Sequence, residues 1–153
     1  MELQIDHARP EDVEKVFALL TEHRLPLDGL RDHLHTTLVA RADGEIVGTA
    51  ALEMYGDGAL LRSVAVASTL QGRHLGRQLV EAAIRLAEER GVPAVYLLTT
   101  TAEGYFPKFD FERIARAEVP LNVQTSVEFT SACPSSATVM RRRLQLTPRV
   151  PAA

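Results

Sequence analysis

The chain has 153 residues, of which 46% are hydrophobic and 24% are charged, and its formal net charge is −3. This size predicts a single domain with a core that needs neither disulfides nor metal, and the charge gives no reason to expect nucleic acid or an anionic membrane as a partner. No apolar run reaches the length of a membrane span, the N-terminus lacks a signal-peptide pattern, and the one cysteine, Cys133, suits a reducing compartment, so we expect a cytoplasmic protein.

The N-terminal part of the sequence predicts one strand and two helices. Residues 3–5 alternate in hydropathy, and a helix should follow from residue 9, because proline and acidic residues suit a first helical turn. The residues expected on its buried face are Val13, Val16, Phe17 and Leu20. After a break at residues 25–27, a short helix is predicted over residues 28–33.

A three-stranded antiparallel meander is predicted next. Residues 37–42 and 45–53 read as strands around Asp43-Gly44, and an Asp-Gly pair is a strong signal for a two-residue hairpin. A second turn at residues 55–58 leads into an apolar run, residues 60–66, which reads as a buried strand.

The run from residue 60 to residue 91 predicts a strand, a glycine-containing turn and a long amphipathic helix. The apolar stripe of this helix contains Leu75, Leu79, Ala83 and Ala87, and Gly91 ends it. The first turn of such a helix offers unpaired backbone N–H groups and partial positive charge, to which Arg73 and Arg77 add full charges. This arrangement predicts a site for a phosphorylated ligand, although a plain loop with solvated arginines fits the local pattern too.

The spacing within that turn is similar to a known motif. Residues 71–76 read Gln-Gly-Arg-His-Leu-Gly, which resembles the acyl-CoA pyrophosphate loop Gln/Arg-x-x-Gly-x-Gly/Ala of the GCN5-related N-acetyltransferase (GNAT) family. His74 stands where the first glycine of that loop usually lies. Residues 64–66 likewise resemble the fourth strand of the family, whose backbone pairs with the pantetheine arm.

The resemblance implies an α/β fold of the GNAT type and a reaction with acetyl-CoA as co-substrate and no metal. The expected sheet is mixed, mostly antiparallel and about seven-stranded, with helices on both faces and a splay between strands 4 and 5. The cofactor-binding residues that the resemblance implies are Val64, Ala65, Val66, Gln71, Gly72, Arg73, His74, Leu75, Gly76, Arg77, Gln78 and Phe106.

The remaining segments complete that sheet. Residues 94–98 predict a fifth strand, parallel to the fourth because a helix connects them. Residues 100–111 resemble the short fourth helix of the family, which Pro107 limits to a turn or two. Further predictions are a strand at residues 112–117, a helix at 120–130 with Val123, Val127 and Thr130 on one face, and a last strand at 136–141. We expect one acetyltransferase domain, residues 1–146, and a flexible tail, residues 147–153.

Acetyl transfer to an amine needs a base for the amine, a donor to the oxyanion and an acid for the thiolate. The resemblance implies that a backbone N–H at Val64 or a neighbour serves the oxyanion. It also implies that a tyrosine protonates the thiolate, but the matching position in this chain is Phe106. The candidate acid is therefore the neighbouring Tyr105, and the alternative is that the thiolate leaves without a protein acid. The base position of some relatives holds Leu60. Glu53 is therefore the candidate base, acting through a water, although a solvated acid at a strand end is an equal alternative.

Arg62 and Ser63 are the predicted acceptor-binding residues. By strand alternation Arg62 should share a face with Leu60 and Val64, where it would bind an anionic group such as an amino acid carboxylate. The alternative is an ion pair, for example with Glu53. No metal site is predicted, because His33-x-His35 has no third ligand at a recognisable spacing.

A narrower resemblance concerns the acceptor. Residues 60–63, 97–103 and 128–134 are similar to the N-acetyltransferases found with bacterial arsenic-resistance operons. This similarity suggests a small-molecule primary amine, amino acid-like or arsenical, as the acceptor. We expect the protein to be a monomer or homodimer. The alternatives are an acyl-CoA-binding sensor without turnover, suggested by Phe106 and Leu60, and a phosphotransferase, which the absence of Gly-Lys-Ser/Thr in the loop disfavours.

Overall fold

The computed structural model describes residues 3–145, which form one seven-stranded sheet with helical segments on both faces. The strands are β1 (Leu3–His7), β2 (Thr37–Ala42), β3 (Glu45–Tyr55), β4 (Gly58–Val66), β5 (Ala94–Thr99), β6 (Glu112–Ile114) and β7 (Thr138–Arg143). Their order in the sheet is β1-β2-β3-β4-β5-β7-β6. The β4–β5 pair is parallel and the others are antiparallel, so the predicted fold class is confirmed. The predicted tail, residues 147–153, lies outside the described residues.

Two α-helices cover opposite faces of this sheet. Helix α1 (Val13–Glu22) packs against Val39 and Ala51, whereas α2 (Leu75–Glu89) packs against Leu38 and Leu52, their sequence neighbours. Because successive strand side chains point to opposite faces, β2, β3 and β4 each contribute to both cores. Within residues 3–145, no helix is both long enough and apolar enough to cross a membrane.

Strands β4 and β5 pair over a short distance and then separate. Their register contains two pairs, Ala59 with Val95 and Leu60 with Tyr96. Strand β4 continues to Val66 without β5 beside it, which is the splay that the family resemblance implies. The second half of β4 therefore has a backbone edge on the β5 side that no strand within residues 3–145 covers.

A β-bulge interrupts β4 at the start of this separated half. Ala51 lies opposite Arg62 and Thr49 opposite Ala65, so two steps along β3 match three along β4. Ser63 has φ of +58°, and an extra residue of this kind leaves its peptide groups out of the ladder. The bulge also changes which face each later side chain occupies. Val64 consequently packs on the α2 side with Leu61, and the expectation that it shares the face of Arg62 was wrong.

Several segments after β5 differ from the sequence prediction. A 3-10 turn, Phe106–Phe109, stands for the short fourth helix, and the strand predicted at 112–117 ends at Ile114. The single helix predicted at 120–130 was wrong. A 3-10 turn, Val123–Thr125, and a π-helical turn, Glu128–Ala132, are separated by an extended Ser126, whose hydroxyl accepts a hydrogen bond from the Glu128 N–H. This side-chain interaction competes with continuous helix, as serine hydroxyls commonly do.

Candidate active site

A cavity of about 720 Å³ opens where β4 and β5 separate. Its walls come from residues 61–66 of β4, the turn into α2, the end of β5 with the segment to Lys108, and residues 128–137. Residues 23–26, which follow α1, form part of the rim. A volume of this size is typical of small-molecule and cofactor sites.

The N-terminus of α2 forms one end of the cavity. Gly72 has φ of +84° and a Cβ there would meet no atom within 4 Å, so the loop backbone is open to close approach. His74 adopts the left-handed conformation, with φ of 61° and ψ of 14°, which explains how a non-glycine residue occupies this position of the motif. The first turn of α2 contains no acidic residue, and its leading N–H groups have no intrahelical acceptor. This end is therefore suited to an anionic ligand group.

Ten of the twelve predicted cofactor residues line the cavity, and Arg73 and Gln78 do not. Arg73 is an exposed residue of the loop, and the Gln78 N–H donates to the His74 carbonyl as part of the first helical turn. The Gln71 side-chain amide donates to the Val66 carbonyl across 3.3 Å, which joins the loop to the end of β4.

Tyr105 lies over the first turn of α2. A Cβ placed on Gly76 would be 3.1 Å from the Tyr105 hydroxyl, so glycine allows the phenol to approach the helix closely. The ring packs edge-on against Phe106 and Phe109, with centroids 5.3 Å away in each case, and the Lys108 Nζ lies 4.2 Å from the ring centroid. Burial raises the pKa of Tyr105, so the phenol keeps its proton at neutral pH. Phe106 is buried and forms part of the cavity wall.

Arg62 also lines the cavity, and its side chain is fully buried. Its Nη1 donates to the Glu53 Oε2 at 2.8 Å and to the Asp28 carbonyl at 2.7 Å, and its Nη2 donates to the Pro26 carbonyl at 3.1 Å. Its Nε donates to the Ser63 Oγ at 3.1 Å. The ion pair with Glu53, which the sequence left as an alternative, is present. Arg62 therefore connects Pro26 at the rim, and Asp28 just beyond it, to β3 and β4.

Glu53 lies behind Arg62 and outside the residues that line the cavity. Its exposed fraction is 1%, so the alternative of a solvated acid at a strand end was wrong. Burial opposes ionisation of this carboxyl, but hydrogen bonds from Tyr55, Ser126 and Arg62 outweigh it and lower the pKa. A carboxylate stabilised in this way is a weaker base than an ordinary one.

Glu128 is a cavity residue that the sequence did not single out. Its side chain is 5% exposed, and its Oε2 lies 3.4 Å from the Arg62 Nε. Burial raises the pKa of Glu128, against the influence of Arg62, and burial together with this carboxyl raises the pKa of Cys133 to about 12. The predicted helix at 120–130 places Glu128 off its apolar face. The one sequence feature that could have indicated a role for Glu128 is its position between two apolar residues, Val127 and Phe129.

Comparison with known proteins agrees with this geometry. A family model described as the acetyltransferase (GNAT) family matches residues 2–111. An uncharacterized N-acetyltransferase of Chlorobaculum tepidum is 29% identical over 98 residues, which are 63% of this chain and 63% of the relative. The similarity thus spans less than two thirds of that relative.

Two solved structures share the fold. N-acetylglutamate synthase from Neisseria gonorrhoeae, complexed with coenzyme A and N-acetyl-glutamate, has a TM-score of 0.81 and 22% identity, over 95% of this chain and 36% of the synthase chain. Rv2747 from Mycobacterium tuberculosis, in complex with CoA and a second ligand, has a TM-score of 0.79 and 22% identity, over 93% of this chain and 99% of the other. Because the family model covers well over half of the 153 residues and the sheet has the matching splay, the chain belongs to the acetyltransferase (GNAT) family.

Proposed function

We propose that this protein transfers the acetyl group of acetyl-CoA to a primary amine of a small molecule, by direct attack within a ternary complex. The observation that carries the proposal is the cavity between the separated β4 and β5, which has the open N-terminus of α2 at one end and the Ser63 bulge beside it. Main-chain amides of residues 72–77 bind the diphosphate, since the Gln78 N–H is already engaged by the His74 carbonyl. The free edge of residues 64–66 pairs with the pantetheine arm. Arg73 and Gln78 support this loop from outside the cavity lining.

The bulge supplies the group that stabilises the tetrahedral intermediate. A backbone N–H at Val64 lies out of the β3 ladder, so it is available to the developing oxyanion. Such a donor acts strongly in a site from which water is excluded. Tyr105 protonates the departing thiolate, because its raised pKa keeps the proton available. Phe106, next to it, packs against the thioester arm.

The acceptor binds near Arg62 and Ser63. Arg62 has five N–H donors, four of which are engaged, so one Nη2 hydrogen remains for a carboxylate or another anionic group. We infer an amino acid-like or arsenical amine as the acceptor class, which is what the resemblance to the arsenic-resistance-operon subgroup suggests. The N-acetyl-glutamate in the synthase complex, an acetylated amino acid, supports the amino acid-like member. We propose a cytoplasmic monomer or homodimer.

Glu53 is assigned to positioning. Its carboxylate is engaged by Arg62 and Tyr55 and does not line the cavity, so a direct contact with the amine is not available to it. Its hydrogen bond with Arg62 fixes the position of the guanidinium at the proposed acceptor site.

An acyl-CoA-binding sensor is the second candidate function. It is favoured by two apolar side chains, Phe106 and Leu60, at positions where relatives place an acid and a base. Both are buried, and neither can exchange a proton.

A thiol-release assay with acetyl-CoA and a panel of amines separates the two functions. The panel contains free amino acids, an amine-bearing arsenical and a polyamine, and calorimetry measures the affinity for coenzyme A and, as a control, for ATP. Release above background with one amine class is the expected result. Binding of coenzyme A without thiol release in the presence of any amine would support the sensor. Binding of ATP instead of coenzyme A would contradict both functions.

A further inference from the structure

The acceptor end of the cavity contains one acidic side chain. Among the described residues that line the cavity, Glu128 is the sole carboxylate, and the charged groups around the rest of the wall are cationic. These cationic residues are Arg24, Arg62, Arg77 and Lys108. A positively charged amine entering this cavity therefore meets a single group of opposite charge.

Arg62 does not neutralise that group fully. The guanidinium donates to Glu53 at 2.8 Å, whereas the distance from its Nε to Glu128 is 3.4 Å, longer than an ordinary charged hydrogen bond. The cluster thus contains two carboxylates for one guanidinium. The carboxylate that lines the cavity is the one that Arg62 holds more weakly.

The groups that face Glu128 come from four segments. Arg62 on β4 and the Cys133 thiol favour its ionised form. Glu53 on β3 and Asp28, which precedes a 3-10 helical segment (Leu30–Thr36), oppose it. Burial is the largest influence and also opposes ionisation. A carboxyl in such surroundings is closer to the basicity that proton removal at neutral pH requires than an exposed glutamate is.

We propose that Glu128 binds the ammonium group of the acceptor and removes its proton, as the general base of the reaction. This inference rests on the proposed acetyltransferase function. One ammonium proton passes to the Glu128 carboxylate, and the freed nitrogen lone pair forms the C–N bond with the thioester carbonyl. Collapse of the intermediate breaks the C–S bond, the remaining excess N–H proton leaves with the thiolate through Tyr105, and Glu128 returns its proton to solvent.

The test compares Glu128→Gln, Glu128→Asp and the matched control Glu118→Gln, an exposed glutamate outside this cavity. The glutamine keeps the shape and an oxygen for Arg62, so the variant should fold, and its melting temperature checks this. We expect kcat/KM of Glu128→Gln to fall by roughly 10²-fold or more, with coenzyme A affinity within twofold of the unmodified protein. Glu128→Asp should keep part of the activity, and Glu118→Gln all of it.

The pH profile separates a base from a merely structural partner of Arg62. In the unmodified protein kcat/KM should rise with pH as Glu128 loses its proton, and this rise should be absent in Glu128→Gln. An NMR titration should show one carboxyl-carbon signal that is absent in Glu128→Gln. The titration midpoint of this signal should lie above the usual ~4.3 of glutamate. Unchanged kinetics and pH profile in Glu128→Gln, with the unmodified protein active, would overturn this assignment alone. Failure of the unmodified protein with every amine would instead overturn the proposed function.

Discussion

Gly76 is the residue at which the cofactor assignment can be tested most directly. We expect Gly76→Asp to abolish coenzyme A binding, because it places bulk and negative charge where the diphosphate would lie. Gly76→Ala is the matched control for bulk alone, since its methyl group would lie 3.1 Å from the Tyr105 hydroxyl and displace it slightly. Calorimetric affinity for coenzyme A is the measurement. An unchanged affinity in Gly76→Asp would show that this loop does not bind the cofactor.

Tyr105 carries the second prediction at the residue scale. Tyr105→Phe keeps the ring and its packing against Phe106 and Phe109 but removes the proton. If the phenol is the acid, kcat should fall roughly 10²-fold while coenzyme A affinity stays within twofold. Steady-state thiol release provides kcat. Full activity would show that the thiolate leaves without a protein acid.

At the scale of elements, the β4 bulge controls how the site is built. Ser63 lies at φ of +58° within a strand, a conformation that β-branched residues strongly disfavour. We expect Ser63→Val to lower the free energy of unfolding by about 2 kcal/mol more than Ser63→Gly does, because glycine adopts this conformation freely. Both variants lose the hydroxyl that accepts from Arg62, so their comparison isolates the backbone. Equal urea midpoints would indicate that the bulge is not under this strain.

Elements differ in how well their own sequence determines them. The Asp-Gly hairpin and the stripe of α2 are local patterns, and both elements lie where they were predicted. The segment after β6 has no comparable periodicity. There the Ser126 hydroxyl, the burial of Glu128 and the cavity wall select two short turns over one helix. Tertiary contacts outweigh weak helical propensity in such a segment.

At the scale of the whole molecule, buried ion pairs connect the layers and make stability depend on pH. Asp12 and Arg41 join the start of α1 to β2, and the hydrogen bond from Arg41 lowers the pKa of Asp12 despite its burial. A carboxyl with a lowered folded-state pKa stabilises the fold above its unfolded value. That stability is lost as the pH falls through the folded-state pKa.

We therefore expect Asp12→Asn to lower the free energy of unfolding by about 2 kcal/mol at pH 7, because it leaves a mostly buried guanidinium with only the longer, 3.4 Å contact to Asp6. The difference from the unmodified protein should shrink as the pH falls below about 4. Urea denaturation at a series of pH values gives both quantities. Asp43→Asn, in the exposed hairpin turn, is the matched control. A pH-independent difference would contradict the linkage.

By itself the sequence determined the meander, α2 and the parallel return to β5, and its resemblance to a known family implied the splay. The meander and α2 follow from turn chemistry and periodicity, which act over a few residues. Only the tertiary structure decided which face each β4 side chain occupies, because one bulge at Ser63 shifts the alternation. It also decided that Glu53 lies behind Arg62 while Glu128 reaches the cavity. Residues 53, 62 and 128 are far apart in the chain, and the burial that sets their charges exists only once the layers pack together.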